Sequence, residues 1–208
     1  DPTLDNALPG SWQASGTIGD AGGTPGAENV FVVPSECNGL TPTIDLTVTP
    51  GAVATGGADV ILGTPGADVI SGLGGGDTIC GLGGDDTIAG NGGDDVIFGG
   101  DGADTIYGGP DADTIRGGAG DDTIQGNGGV DVLNGDAGED TLSGNDGDDT
   151  LNGGPDNDTL YGVAGVDTIN GDGGADTILG GLNDDIINGG DGDDLISGNA
   201  GADIINGD

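Results

Sequence analysis

Aspartate recurs at every ninth position from Asp59 to Asp203, without a single insertion or deletion. Two residues after each of these motif aspartates comes Ile or Leu, and four residues after it comes Gly. The seventeen motif aspartates are Asp59, Asp68, Asp77, Asp86, Asp95, Asp104, Asp113, Asp122, Asp131, Asp140, Asp149, Asp158, Asp167, Asp176, Asp185, Asp194 and Asp203. One aliphatic residue in nine cannot bury itself, so the repeat predicts a solenoid whose stacked units share a thin continuous core.

The spacing of two other residue types indicates how many units form one coil. Each unit reads as a Gly-rich turn followed by a three-residue strand, and a strand alternates its side chains between two faces. In the second half of the repeat, asparagine follows the motif aspartate by three residues in every second unit, at Asn134, Asn152, Asn170, Asn188 and Asn206. The intervening units carry a threonine column at Thr87, Thr105, Thr123, Thr141, Thr159 and Thr177. This alternation predicts two nonapeptides per coil, two facing parallel sheets, and ladders of identical side chains along the stack.

The residue two before the motif aspartate is informative where it is not glycine. It is Gly in fourteen units and Asp111, Asp156 or Asn183 in the other three. Asn and Asp are the non-glycine residues that best tolerate a positive φ. We therefore expect a left-handed backbone at this position in every unit, including these three.

The charge of the chain requires a counter-ion. It has 38 acidic residues against one cation, Arg116, and a net charge of -37. A compact state with this charge repels itself, and the counter-charge best suited to carboxylate and carbonyl oxygens is a hard divalent cation.

Without a basic patch, nucleic acid is excluded as a direct partner. No apolar run approaches the roughly 20 residues of a membrane span. The absence of His and Lys argues against an enzyme.

Residues 56–208 resemble the RTX, or haemolysin-type, calcium-binding repeat, Gly-Gly-x-Gly-x-Asp-x-U-x with U a large aliphatic residue. The resemblance implies an all-β fold, a parallel β-roll in which each turn is half a calcium site and the turn one coil along completes it. It also implies that the seventeen motif aspartates and loop carbonyls are the calcium ligands. Nine turns in one column and eight in the other leave fifteen spaces, so we expect about 15 calcium ions. The acids that directly precede a motif aspartate are expected to be solvated or to lie outside the ligand set: Asp85, Asp94, Asp121, Asp148, Asp184 and Asp193.

Residues 1–55 lack the repeat and are predicted to be an irregular or β-structured segment that caps the roll or serves in assembly. Residues 23–28 echo residues 63–68 with Glu28 in place of aspartate, and residues 30–33 and 44–48 are strand-like. Cys37 and Cys80 are compatible with one disulfide in an oxidising compartment or with two free thiols. A disulfide would join the segment to the third repeat, and the alternative for the segment is a flexible tether.

These observations predict a calcium-binding structural or adhesive module that is secreted, extracellular or located at the cell surface. One alternative is the C-terminal calcium-dependent folding and secretion module of a secreted enzyme. Another is an ice-binding solenoid using the threonine column, although Tyr107, Gln125 and Tyr161 in the adjacent outward column would break a flat face. Because the repeat runs in phase to the last residues of the chain, we also hypothesise that copies join head to tail into a filament.

Overall fold

The computed structural model describes residues 37–46 and 52–207, and these residues form eighteen strands in two parallel sheets. The ten-stranded sheet contains, in spatial order, β1 (Ile44–Asp45), β2 (Val60–Leu62), β4 (Thr78–Gly83), β6 (Val96–Asp101), β8 (Thr114–Ala119), β10 (Val132–Ala137), β12 (Thr150–Gly154), β14 (Thr168–Gly173), β16 (Ile186–Asp191) and β18 (Ile204–Asn206). The eight-stranded sheet contains β3 (Val69–Ser71), β5 (Thr87–Ala89), β7 (Thr105–Gly109), β9 (Thr123–Gly128), β11 (Thr141–Asp146), β13 (Thr159–Ala164), β15 (Thr177–Leu182) and β17 (Leu195–Ala200). Within these ranges, no helix has the length and apolar character needed to cross a membrane.

Successive nonapeptides alternate between the two sheets. From β2 onward, each strand pairs in parallel with the strand 18 residues further on, as in the pairing of Leu133 with Leu151 and of Ser143 with Tyr161. One coil therefore contains two nonapeptides, one in each sheet. The predicted parallel β-roll is confirmed.

The core is the column of Ile and Leu residues that stand two positions after the motif aspartates. From Ile79 to Ile178 these side chains are completely buried. Ile44 in β1 extends this column at its start, since it pairs with Ile61 of β2. The alternation of side chains along each short strand places only this residue inside. The narrow interior leaves the turns to fix the remaining structure.

The outer faces carry the predicted ladders. Asn152 donates from Nδ2 to Oδ1 of Asn134 at 2.9 Å, and Asn170 donates to Asn152 at 2.9 Å. On the eight-stranded sheet the threonine column lies in register from Thr87 to Thr177. Both ladders confirm the expected 18-residue coil.

The left-handed backbone expected two residues before the motif aspartate occurs in thirteen turns. Twelve of these are glycines, and the thirteenth is Asn183 with φ 76°. The first two turns of the roll lack it, and for Asp111 and Asp156 the prediction is also wrong, because neither has a positive φ. A proline precedes each of these two aspartates, and proline favours a type I turn in which the next residue has a negative φ. The Asp111 carboxylate instead accepts the Gly93 N–H of the preceding coil at 2.8 Å.

The segment before the repeats is attached to the first coils in two ways. Strand β1 adds to the edge of the ten-stranded sheet. Cys37 forms a disulfide with Cys80 and is buried against Leu62 on the outer face of that sheet. The disulfide alternative is therefore the one observed. The predictions for residues 23–28 and 30–33, and for the end of the strand at 47–48, lie outside the described residues.

Candidate metal sites in the turns

The motif aspartates form two columns along the roll, each at the end of a turn and directly before a strand. Their main-chain carbonyls fix them there: the Asp131 carbonyl accepts the Thr150 N–H of the next coil at 2.9 Å. Fourteen of the seventeen are buried, and Asp131 is completely so. Fully buried aspartate is rare in proteins unless it is paired.

From Asp77 to Asp203, one carboxylate oxygen of each motif aspartate links neighbouring coils. Oδ1 of Asp131 accepts the Asp113 N–H at 2.8 Å, and Oδ1 of Asp149 accepts the Asp131 N–H at 2.8 Å. The same bond recurs from the Asp59 N–H through to the Asp203 carboxylate, with distances between 2.7 and 3.1 Å. Each column is thus a chain of hydrogen bonds from carboxylate to main chain.

The other oxygen, Oδ2, is buried without a hydrogen-bond partner in fourteen of these aspartates. They are Asp77, Asp86, Asp95, Asp104, Asp113, Asp122, Asp131, Asp140, Asp149, Asp158, Asp167, Asp176, Asp185 and Asp194. Leaving a buried charged oxygen unpaired carries a large desolvation penalty. Fourteen identical cases in one chain indicate a common missing partner rather than isolated defects.

Glycine leaves the side-chain position next to each unpaired oxygen empty, and we call this position the gap. A Cβ added to Gly126 would overlap Oδ2 of Asp131 and lie 3.0 Å from the Gly144 carbonyl oxygen of the next coil. Gly153 has the same relation to Asp158 and to the Gly171 carbonyl oxygen. Only glycine allows the main chain this close to the carboxylate. Oxygens from two successive coils therefore converge on a space without a side chain.

The turn before each gap is held in a left-handed conformation. The residue four before the motif aspartate, the −4 residue, has a positive φ in all fifteen turns that lead to Asp77 through Asp203: nine are non-glycine residues and six are glycines. Among them is Val163 with φ 87°, an outlier for a β-branched residue. The N–H of the −4 residue then points to the neighbouring coil, as when Asn91 donates to the Gly108 carbonyl at 2.8 Å. We call these fifteen the open turns.

The two turns that lead to Asp59 and Asp68 differ. Oδ2 of Asp59 accepts both the N–H and the hydroxyl of Thr55, at 2.7 and 2.9 Å. Oδ2 of Asp68 accepts the same two groups of Thr64, at 2.6 and 2.9 Å. We call these the closed turns. At the other end of the roll, Asp203 is half-buried and accepts the Asp185 N–H through Oδ1.

The pKa values follow this division. Burial raises the pKa of Asp113, Asp122, Asp140 and Asp158 to about 7, against the opposing effect of the N–H bond to Oδ1. Neighbouring acids add to the rise in pKa. The main-chain and hydroxyl hydrogen bonds from Thr55 instead lower the pKa of Asp59. Without a cation, the four aspartates with a pKa of about 7 are therefore poorly suited to carry their charge at neutral pH.

The acids that directly precede a motif aspartate have a separate role. Asp85 accepts the Ala103 N–H at 3.0 Å, and Asp148 accepts the Val166 N–H at 2.8 Å. The equivalent bond is made by Asp94, Asp121 and Asp184. These carboxylates connect exposed turn backbones of adjacent coils.

The donor set of the open turns suits calcium. Among the described residues, no three acidic, Cys or His side chains lie close enough together to hold a metal ion. Each turn instead offers one carboxylate oxygen next to main-chain carbonyls. Calcium takes six to eight oxygens and accepts such a mixture with irregular geometry, whereas Mg²⁺ demands a near-ideal octahedron. Zinc sites normally use Cys or His ligands, and the chain has no His and both cysteines are bonded to each other.

Sequence reasoning did not assign a role to two elements of this arrangement. The glycine four residues after each motif aspartate borders the next aspartate's Oδ2, and its invariance through the repeat is the signal that marks it. The −4 residues carry no such signal, because Leu, Asn, Asp, Val, Thr and Gly all occur there.

Comparison with known protein families agrees with the geometry. The family model of the RTX calcium-binding nonapeptide repeat matches residues 53–88, 81–115, 107–142, 143–178 and 179–208. Together these matches span the whole β-roll. A comparison with curated proteins found no match.

Proposed function

Because this chain belongs to the family of RTX calcium-binding nonapeptide repeats, we propose that it is a structural module whose turns bind calcium through the motif aspartates. The ions supply the partner that the buried carboxylates lack and join each coil to the next. The chain's own groups have three tasks: Oδ2 and the turn carbonyls bind the metal, Oδ1 fixes the column, and glycine leaves space. The module's function is rigidity and presentation of its faces rather than catalysis.

The observation that carries this proposal is the column of fourteen unpaired Oδ2 atoms. Packing of the apolar core cannot explain these buried aspartates, because it gives no reason to bury carboxylates beside the core. A divalent cation in each space between turns, about 15 in all, would also neutralise most of the net charge of -37. The charge, the gap and the unpaired oxygen therefore have one common explanation.

The division of the chain and its location extend the proposal. We assign residues 56–208 to the calcium-binding roll and residues 1–55 to a segment that caps or assembles it. Strand β1 and the Cys37–Cys80 bond support this division. The disulfide also supports an extracellular or cell-surface location, since such bonds persist in oxidising compartments.

Head-to-tail assembly and a role as the folding module of a secreted enzyme stay predictions. Ice binding is not proposed, because Tyr107 and Tyr161 protrude from the threonine face.

The proposal is tested by circular dichroism during a calcium titration of chelator-treated protein. We expect loss of the β-spectrum without calcium and cooperative recovery at about 10⁻⁴ to 10⁻³ M free calcium, the range of extracellular calcium modules. Magnesium at the same concentrations is the control and should not restore the spectrum. A complete β-spectrum in excess chelator would contradict the proposal.

A further inference from the structure

The closed turns differ from the open turns at the atom that binds the metal. In the open turns from Asp77 to Asp194, Oδ2 has no donor, and the −4 residue is left-handed. In the closed turns Thr55 and Thr64 occupy the −4 position without a positive φ. Their N–H groups therefore point inward at Oδ2, and their hydroxyls add a second hydrogen bond. Each closed turn thus provides internally the two donors that an open turn lacks.

The gap also differs between the closed and the open turns. The residue five before Asp59 is Ala54, whose side chain packs against the core, whereas every open turn has glycine there. A Cβ at Gly63 would lie 3.0 Å from Oδ2 of Asp68, while in the open turns it would overlap Oδ2. The Asp68 carboxylate has therefore turned toward Thr64. A cation beside either carboxylate would have to displace a main-chain N–H and a hydroxyl.

The remaining contacts of Asp59 have the same effect. Its Oδ1 accepts the Thr43 hydroxyl at 3.2 Å, and Thr43 also receives the Val60 N–H at 2.9 Å. These bonds tie the segment before β1 to the first turn. Asp59 thus helps to attach that segment through hydrogen bonds, without a metal ion.

From these contacts, and on the basis of the calcium function proposed above, we propose that Asp59 and Asp68 are not calcium ligands. The two closed turns are metal-independent caps, one at the head of each column, and the ligand set begins at Asp77. The threonine at −4 is the residue that distinguishes a cap from a calcium-binding turn.

Asp68→Asn and Asp86→Asn form a matched pair, since the two aspartates are neighbours in one column. In Asp68→Asn, the new side-chain amide can direct its single oxygen at Thr64 and keep both hydrogen bonds that the carboxylate accepts there. In Asp86→Asn, the amide oxygen can keep the bond from the Asp68 N–H. The amide nitrogen then stands where the unpaired Oδ2 was, and it cannot bind a cation. Both substitutions therefore preserve the size of the side chain and the hydrogen bonds that its carboxylate accepts.

Native mass spectrometry of the full chain in calcium counts the bound ions directly. We expect Asp68→Asn to retain the wild-type number and Asp86→Asn to lose at least one ion. If Asp86→Asn does not fold, the comparison of Asp68→Asn with wild type still decides the matter. Loss of an ion from Asp68→Asn would overturn the inference that Asp68 is not a ligand, and it would leave the proposed calcium function intact. Wild-type protein without bound calcium would contradict the proposed function and, with it, this inference.

Discussion

The first two turns of the roll and the fifteen that follow use the same aspartate and the same aliphatic residue two positions later. They differ in what meets Oδ2: two threonine donors in the closed turns, and no donor in the open turns from Asp77 to Asp194. We therefore expect that the motif aspartate alone does not define a calcium site. The backbone conformation at −4 determines whether the carboxylate has donors within its own turn or is left without them.

This difference also divides the roll energetically. The closed turns are next to β1 and the disulfide and contain their own hydrogen bonds. In the middle of the open turns, burial raises the pKa of carboxylates such as those of Asp113 and Asp140. We therefore expect the first coil to depend on covalent and hydrogen-bonded contacts and the later coils to depend on calcium.

The largest effect is expected from Asp131→Ala in the middle of the open turns. It removes a fully buried ligand and the acceptor of the Asp113 N–H, and should weaken two neighbouring sites. In calcium-containing buffer, we expect the free energy of unfolding to fall by roughly 3–5 kcal/mol, comparable to breaking a buried charge pair. We also expect two separate transitions on melting. Asp203→Ala is the control, because Asp203 is only half-buried and accepts a longer bond. Equal losses in the two variants would contradict the stacked-site arrangement.

A smaller effect, confined to the closed end, is expected from the double variant Cys37→Ser with Cys80→Ser. The disulfide closes a loop across 43 residues of sequence, and its removal should lower stability by about 2–4 kcal/mol. Hydrogen exchange in saturating calcium should show faster exchange in β1 and β2 only. Wild-type protein with reductant should behave like the variant. Faster exchange spread evenly along the roll would contradict the division into two regions.

Gly126→Ala tests the gap of a single open turn. The new Cβ would overlap Oδ2 of Asp131, and overpacking of this kind typically destabilises by about 1–3 kcal/mol. We expect one calcium ion fewer by native mass spectrometry and a lower melting temperature. Gly128→Ala is the matched control, since its Cβ would have no neighbour closer than 3.9 Å. If the two variants bind equal numbers of ions, the gap is not the metal site.

The smallest effect concerns pH in calcium-free buffer. Because the folded-state pKa of Asp113, Asp122, Asp140 and Asp158 is raised to about 7, protonation of these groups favours the folded roll. That contribution is complete below the unfolded pKa near 4 and is lost as pH rises through about 7. Circular dichroism should therefore show more β-structure at pH 5 than at pH 8 without calcium. Calcium affinity should fall as pH is lowered over the same range, because protons compete for Oδ2. More β-structure at pH 8 than at pH 5 in the metal-free protein would contradict the raised pKa values of these aspartates.

The repeat made the fold predictable, because period and phase are local properties of the sequence. The spacing of Asn134 and Asn152 predicted the 18-residue coil, and their side chains are hydrogen-bonded. The conformation of individual turns was less predictable. Asp111 differs from Asn183 because a proline precedes it, and the role of Thr64 depends on the direction in which its N–H points. Such features are set by main-chain geometry within one turn, which a repeat consensus averages out.

The most direct measurement is long-wavelength anomalous diffraction from crystals of the full chain grown in calcium. We expect an anomalous peak within calcium coordination distance, about 2.3–2.6 Å, of Oδ2 of each motif aspartate from Asp77 to Asp194. We expect no peak beside Oδ2 of Asp59 or Asp68. Calcium located only on the exposed acids, such as Asp85 and Asp148, with no peaks in the columns of buried aspartates, would contradict the claim that the unpaired oxygens are the metal ligands.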